Sequence, residues 1–426
     1  MSRKDLSSML SVVLLDEDSP LESYYNRICL VGRCIGLNFD SSNLFLRIIS
    51  YLVTYSIVCI GLYFVCSVGC SIFFLSSSPH IAVSITIFIF NLQAVISIMF
   101  LIYWQKRGAI HKFIQLLKEP QNGDGVNRYR AALLGQMMAA LSMTLLVLLY
   151  ISSLFAVYLS GKNITVIDRE IIHSFGSRSA YIIPLTAQEY AFFGWNLSIL
   201  IYVFCVEVTF YEIRYFNRSI RTINGTTEES LCSQISNAIK KYSDIAVAVR
   251  SLDKIFKRFA FMMIACSIPS LLFCLYVVFS RLNSDMEEKV IMMPALLYLL
   301  YSFFSLTAVP AKLHDEITKT KSAFYENTHI WFPYRSPVYN AAVAFCSHLE
   351  QSNLGISIWG FALLSRPLIL TVLEGGEGGG GLLADSLRHG HLSRSPSAVQ
   401  GIQNRKQRLH LRLFQTLSLN FSRFNM

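Results

Sequence analysis

The chain has 426 residues, of which 53% are apolar and only 15% charged; mean hydropathy is +0.45 and the formal net charge is +10. A water-soluble domain usually carries about 25% charged residues, so a soluble globular protein is excluded. The positive balance does not indicate nucleic acid as a partner either. The basic residues fall in loops between stretches of bilayer length, where they are normal.

Seven apolar stretches follow one another, at residues 46–75, 81–104, 132–159, 190–213, 259–280, 290–311 and 354–373. A helix of about 20 apolar residues crosses a bilayer core of about 30 Å, and each stretch reaches that length. Lipid offers the backbone no hydrogen-bond partner, so a helix is the expected form of each. The predicted fold is an all-α membrane protein, a seven-transmembrane helical bundle over residues 46–373. Residues 1–45 precede it and contain Arg3, Lys4, Asp5, Asp16, Glu17 and Asp18. They lack the clean apolar core and small-residue cleavage site of a signal peptide, so the first stretch is the expected insertion signal.

Lys and Arg alternate between gaps. Residues 1–47 hold five, 105–131 six, 214–258 nine and 312–353 four, whereas 76–80 hold none, 160–189 three and 281–289 two. Basic loops stay cytoplasmic. The amino terminus is therefore expected in the cytosol, and seven crossings would leave the carboxyl terminus outside. None of the ten cysteines lies in the two longer outward gaps. No extracellular disulfide is expected, and the thiols read as small buried hydrophobes or reduced cytosolic groups.

The outward gap 160–189 carries Asn163-Ile164-Thr165, a glycosylation sequon on the correct side. Asn217-Arg218-Ser219 and Asn224-Gly225-Thr226 match too, but fall in the inward gap, and Asn196-Leu197-Ser198 lies inside the fourth stretch. Asn163 alone of these four is expected to gain sugar.

The inward gap 214–258 reads as helical at both ends. The fourth stretch continues through Tyr211 to Phe216, and Thr227-Glu228-Glu229-Ser230 is a helix start. Ile235, Ile239, Tyr242, Ile245, Ala246, Val249 and Leu252 then keep helical spacing into the fifth stretch. Two forms fit: a packed cytoplasmic region offering an assembly surface, or an amphipathic connector lying on lipid.

Residues 374–381 read Glu-Gly-Gly-Glu-Gly-Gly-Gly-Gly, and Ser, Arg, His and Gln dominate from there to Met426. A glycine run loses much backbone entropy on ordering and buries little to offset it, so 374–426 is the expected disordered tail. It carries seven Lys and Arg, although seven crossings would place it outside. Either the seventh stretch does not cross, or the tail is an aberrant end.

There is no Walker loop, dinucleotide fingerprint, HExxH or GxSxG. No enzyme activity, cofactor or metal is expected. His314-Asp315-Glu316, following the sixth stretch, reads as an ion-paired or solvated helix continuation. Intramembrane polar residues carry more information, because each is costly unless paired or lining a cavity. Gln93 and Glu207 are the candidate gating or ion-path residues, with structural pairing as the other reading; Asn91, Gln136 and Asn196 share the setting. Tyr150, Trp195, Tyr276 and Tyr298, with Asn196, are the candidate lining of an outward pocket for a small ligand. The same aromatics fit interfacial belts and interhelical packing.

Seven helices suggest a G-protein-coupled receptor, which is the alternative reading. Asp168-Arg169-Glu170, however, lies in an outward gap, no Asn-Pro-x-x-Tyr occurs, and the charge bias is inverted. A secondary transporter ranks lower, since no repeat or paired broken helices are evident. The inverted topology, Ala311-Lys312-Leu313-His314-Asp315-Glu316 after the sixth stretch, and the run from Gly355 through Trp359-Gly360-Phe361 to Arg366-Pro367-Leu368-Ile369-Leu370 resemble the arthropod gustatory receptor family, related to insect odorant receptors. The resemblance covers about residues 20–373. It implies a ligand-gated, non-selective cation channel subunit in the plasma membrane that detects a small-molecule tastant. It also implies homo- or hetero-tetramers joined through cytoplasmic helical extensions, with the last part of helix seven lining the pore. The family closes that helix with Thr-Tyr, an apolar run and Gln-Phe. Here Gln-Phe is absent, the only Thr-Tyr is Thr54-Tyr55, and the glycine run stands in its place.

Overall fold

In the computed structural model the described residues are 44–72, 78–118, 178–280, 286–351 and 354–367, with isolated positions at 26–32 and 131–152. They form α1 (Leu44–Ile72), α2 (Ser78–Arg107), α3 (Ala109–Lys118), α4 (Arg178–Arg221), α5 (Glu228–Ser280), α6 (Met286–Tyr325), α7 (Thr328–Trp331) and α8 (Ser336–Gln351), followed by strands β1 (Ser357–Ile358) and β2 (Ala362–Leu363). All belong to one compact unit, residues 1–369. The tail 374–426, Tyr150, Asn163 and most of the third stretch lie outside the described residues.

Among the described residues five helices are long and apolar enough to cross a membrane. Their lengths exceed what a bilayer needs. At 1.5 Å per residue, the 53 residues of α5 run about 80 Å, and the 44 of α4 about 65 Å. Two or more bilayer-core thicknesses imply that much of each helix stands clear of lipid.

The bundle is built around α4, whose apolar window is 94% buried, against 33% for α1. A helix apolar all round belongs inside other helices, and α4 packs on α6, α2, α1 and α5. Gly194 makes this possible, because a Cβ there would stand 2.7 Å from Ile98 Cγ1 on α2. Small residues let membrane helices approach closely. The exposed apolar side chains of α1, among them Leu44, Phe45, Leu52, Leu62 and Tyr63, form a face suited to lipid.

The polar half of α5 is a packed element and not a connector lying on lipid. Thr227 Oγ1 accepts the Ser230 N–H at 3.4 Å, and Glu228 and Glu229 occupy the first turn, as the start signal required. Ile235, Tyr242, Ile245, Val249 and Leu252 are buried. Tyr242 meets Phe216 of α4 at 5.9 Å and Phe345 of α8 at 5.8 Å, and Phe345 meets Phe324 of α6 at 4.8 Å. Four helices thus share an aromatic core that continues the bundle beyond the apolar stretches.

The seventh predicted stretch is the correction. Residues 354–365 are not helical: β1 pairs antiparallel with β2, Ser357 opposite Leu363 and Ile358 opposite Ala362, and helix resumes only at Arg366. The apolar content of 354–364 is spent on packing a hairpin against α5 and α6. Gly355, Gly360 and Pro367 are its punctuation.

Candidate functional site

Three of the candidate pocket residues come together. Trp195 of α4, fully buried, meets Tyr298 of α6 edge-on at 5.0 Å, and Phe90 of α2 at 5.7 Å; Phe192 adds a fourth ring at 5.8 Å. Asn196 donates its amide to Phe192 O at 2.9 Å, and its side chain lies beside the Tyr298 hydroxyl. Trp195 Nε1–H has no hydrogen-bond partner among the described residues. A buried, unmatched indole donor needs an explanation, such as a water or ligand acceptor. Tyr276 stands apart from this burial, 46% exposed on α5, in keeping with an interfacial belt.

Below the rings, a ladder of polar contacts runs down the α4–α6 interface. Pro310 has no N–H, which leaves Leu306 O without its helical donor. The Tyr202 hydroxyl fills that place at 3.3 Å. Glu207, the candidate gating carboxylate, is 3% exposed and receives Lys312 Nζ at 3.1 and 3.2 Å. The ammonium also sits 4.1 Å from the Phe210 ring centroid, a cation–π contact that further offsets its loss of water. Asn217 donates to Glu316 O at 2.8 Å and Glu316 Oε1 at 3.1 Å, and accepts from Thr320 at 2.7 Å. Asn327 ends the ladder, donating to Ile220 O and Ile223 O at 2.9 Å and thereby capping α4.

Gln93 is bound through its amide nitrogen and its backbone carbonyl, while its Oε1 has no partner among the described residues. Its amide nitrogen reaches Met263 O at 3.2 Å and Ser267 Oγ at 3.0 Å on α5, while Ser97 donates to Gln93 O at 2.8 Å. Ser198 of α4 closes the set with its hydroxyl 3.2 Å from Ser97 O and 2.9 Å from Gly194 O. The group ties α2, α4 and α5 together within the apolar stretches.

His314-Asp315-Glu316 is an ion-paired continuation of α6. His314 Nδ1 lies 3.1 Å from Leu354 O, Asp315 pairs with Arg366, and Lys319 reaches Glu316 at 3.1 Å. Asn196 and Asn217, two of the four sequons, are buried with their amides bonded, so neither presents an acceptor for sugar.

Sequence reasoning did not reach Tyr202, Lys312 as the partner of Glu207, or Asp253, whose carboxylate receives Ser357 from the hairpin. Pro310 was the available signal for the first, since it predicts an unpaired carbonyl four residues earlier.

No protein-family model matches the chain. No curated protein matches it. Among solved structures, the chain is similar to the insect olfactory receptor OR5 from Machilis hrabei, with a TM-score of 0.59 and 14% identity over 84% of this chain and 97% of that one. It is also similar to the same receptor in complex with eugenol, with a TM-score of 0.58 and 12% identity over the same shares. At that identity the likeness establishes the fold alone: the chain shares the helical architecture of this olfactory receptor.

Proposed function

We propose that the chain is a subunit of a gustatory-type chemosensory receptor, a ligand-gated non-selective cation channel that detects small-molecule tastants. It works in the plasma membrane with its amino terminus in the cytosol, as a homo- or hetero-tetramer with related receptors. The observation that carries this reading is the fold, matched over 97% of a solved insect olfactory receptor. The motif resemblance at 311–316 and 355–370 supports the gustatory type, and the alternation of Lys and Arg supports the orientation. The inverted charge bias disfavours the G-protein-coupled alternative.

The ligand site is the ring cluster of Trp195 and Tyr298 with Asn196. An apolar aromatic lining with few polar groups suits a small organic molecule, and the unmatched Trp195 Nε1–H supplies a donor. Eugenol, bound by the olfactory receptor OR5, is the first probe. Gln93 and Glu207 act structurally, holding the helices that frame the site.

The test is current in excised patches lacking guanine nucleotides, from cells expressing the chain alone or with a related receptor. A cation current evoked by a tastant panel that includes eugenol is expected. Trp195→Phe should weaken potency about tenfold, the scale of one lost hydrogen bond, and Trp195→Ala should abolish the response. Absence of current in both settings despite surface delivery, or a response that needs a G protein, overturns the reading.

A further inference from the structure

The hairpin at 354–365 is suspended between two helices. On the α5 side the Ser357 N–H and the Ser357 hydroxyl both donate to Asp253 Oδ1, each at 2.7 Å. On the α6 side, Leu354 O can only accept, so His314 donates to it through Nδ1. Asp315 pairs with Arg366 where the hairpin ends. A Cβ at Gly355 would stand 3.2 Å from His314 Nδ1 and 3.4 Å from Leu363 Cδ2, so the chain leading into β1 lies directly on α6.

The turn is strained. Trp359 has φ +53° and Gly360 φ +88°, and Phe361 N–H closes the turn on Ile358 O at 2.9 Å. A bulky residue rarely adopts a left-handed conformation. Here the Trp359 ring is braced edge-on by Phe261 of α5 at 4.9 Å, and its N–H reaches Lys257 O at 3.4 Å. Strain of this kind persists only where the surroundings over-determine it. Yet the hairpin is not packed in on all sides, because a cleft of about 390 Å³ lined by Arg250, Asp253, Ser357 and Phe361 opens beside it. Buried Leu354, Ile356 and Leu364 seat one face of the hairpin, and directed polar contacts hold the face beside the cleft.

We propose that Asp253 is a positioning residue for gating. Its carboxylate, with His314 and Asp315 across the hairpin, makes residues 354–366 move as one body with α5 and α6. Displacement at the Trp195–Tyr298 cluster then travels down the α4–α6 ladder and reaches the hairpin through His314 and Asp315. The purpose of the latch rests on the channel reading; its existence does not.

Hydrogen exchange on the full chain in lipid nanodiscs tests the latch, comparing wild type with Asp253→Ala, Asp253→Asn and Ser357→Ala. Amides of 354–364 should be protected in the wild type. Asp253→Ala should speed their exchange at least tenfold, including the Leu354–Gly355 side that faces α6, with α4 unchanged. Asp253→Asn, which keeps an acceptor oxygen, and Ser357→Ala, which loses only the hydroxyl bond, should fall between. Acceleration confined to residue 357, no acceleration, or equal acceleration in α4 overturns the latch. For gating, basal cation current without added ligand should rise at least threefold in Asp253→Ala and return to within twofold in Asp253→Glu at equal surface delivery. A released hairpin with unchanged basal current overturns the gating role. No cation current in any variant counts against the channel reading, while the exchange result still decides the latch.

Discussion

Glu207 shows how a carboxylate is kept inside the bundle. It is 3% exposed, while its partner Lys312 is 36% exposed. The ammonium therefore keeps part of its hydration, whereas the carboxylate has given up almost all of its own. Lys312→Met should destabilise the protein by about 2–4 kcal/mol, at the low end for a broken buried pair because Lys312 is partly solvated. Adding Glu207→Gln should recover most of the loss, and thermal unfolding in detergent reads both. Tyr202→Phe leaves Leu306 O beside Pro310 unmatched and should cost about 1 kcal/mol; a neutral change would mean that water replaces the hydroxyl. On α8, burial pushes the Cys346 thiol up from its usual range, with Tyr325 beside it partly opposing the shift. Only the thiolate is nucleophilic, so a raised pKa leaves less of it near neutral pH. Cys346 should alkylate more slowly than free cysteine at pH 7.5 and gain rate as pH rises; alkylation at the free rate would contradict that environment. At this scale the sequence marked Glu207, Gln93 and Trp195 as costly or distinctive, but not their partners. Lys312 is 105 residues from Glu207, and only the packing of α4 on α6 brings them together.

Single elements were read best where one periodicity ran unbroken. The start at Thr227-Glu228-Glu229-Ser230 and the spacing from Ile235 to Leu252 predicted a helix, and α5 begins at Glu228 and continues to Ser280. Whether that helix packed or lay on lipid was not legible, because both use one apolar face; Tyr242, Phe216 and Phe345 decide it. The seventh stretch misled because hydropathy counts apolar residues without asking which partner covers them. A two-residue strand pair resting on two helices buries Leu354, Ile356 and Leu364 as fully as a bilayer span would. Gly360 was the local sign. At φ +88°, with open space where a Cβ would stand, Gly360→Ala should weaken the hairpin through the backbone alone, by about 1 kcal/mol. Hydrogen exchange at 357–364 should rise about fivefold, and unchanged exchange would show that the turn tolerates a side chain.

The whole molecule depends on which side of the membrane each loop occupies. Burial of Asn196 and Asn217 removes two sequons from consideration whatever the topology, leaving Asn163 and the exposed Asn224 to report on opposite faces. Sugar at Asn163 and none at Asn224, read as a single mobility shift lost in Asn163→Gln and kept in Asn224→Gln, is expected. The polar ends of α4, α5 and α6 share one aromatic core on the side rich in Lys and Arg, and the sugar reports which side of the membrane that is. The most direct measurement is antibody access to an epitope fused to the amino terminus, in intact and permeabilised cells. The tag should be silent on intact cells and stain only after permeabilisation; staining of intact cells would reverse every loop and contradict the orientation on which the account of the loops and of the outward ligand site depends.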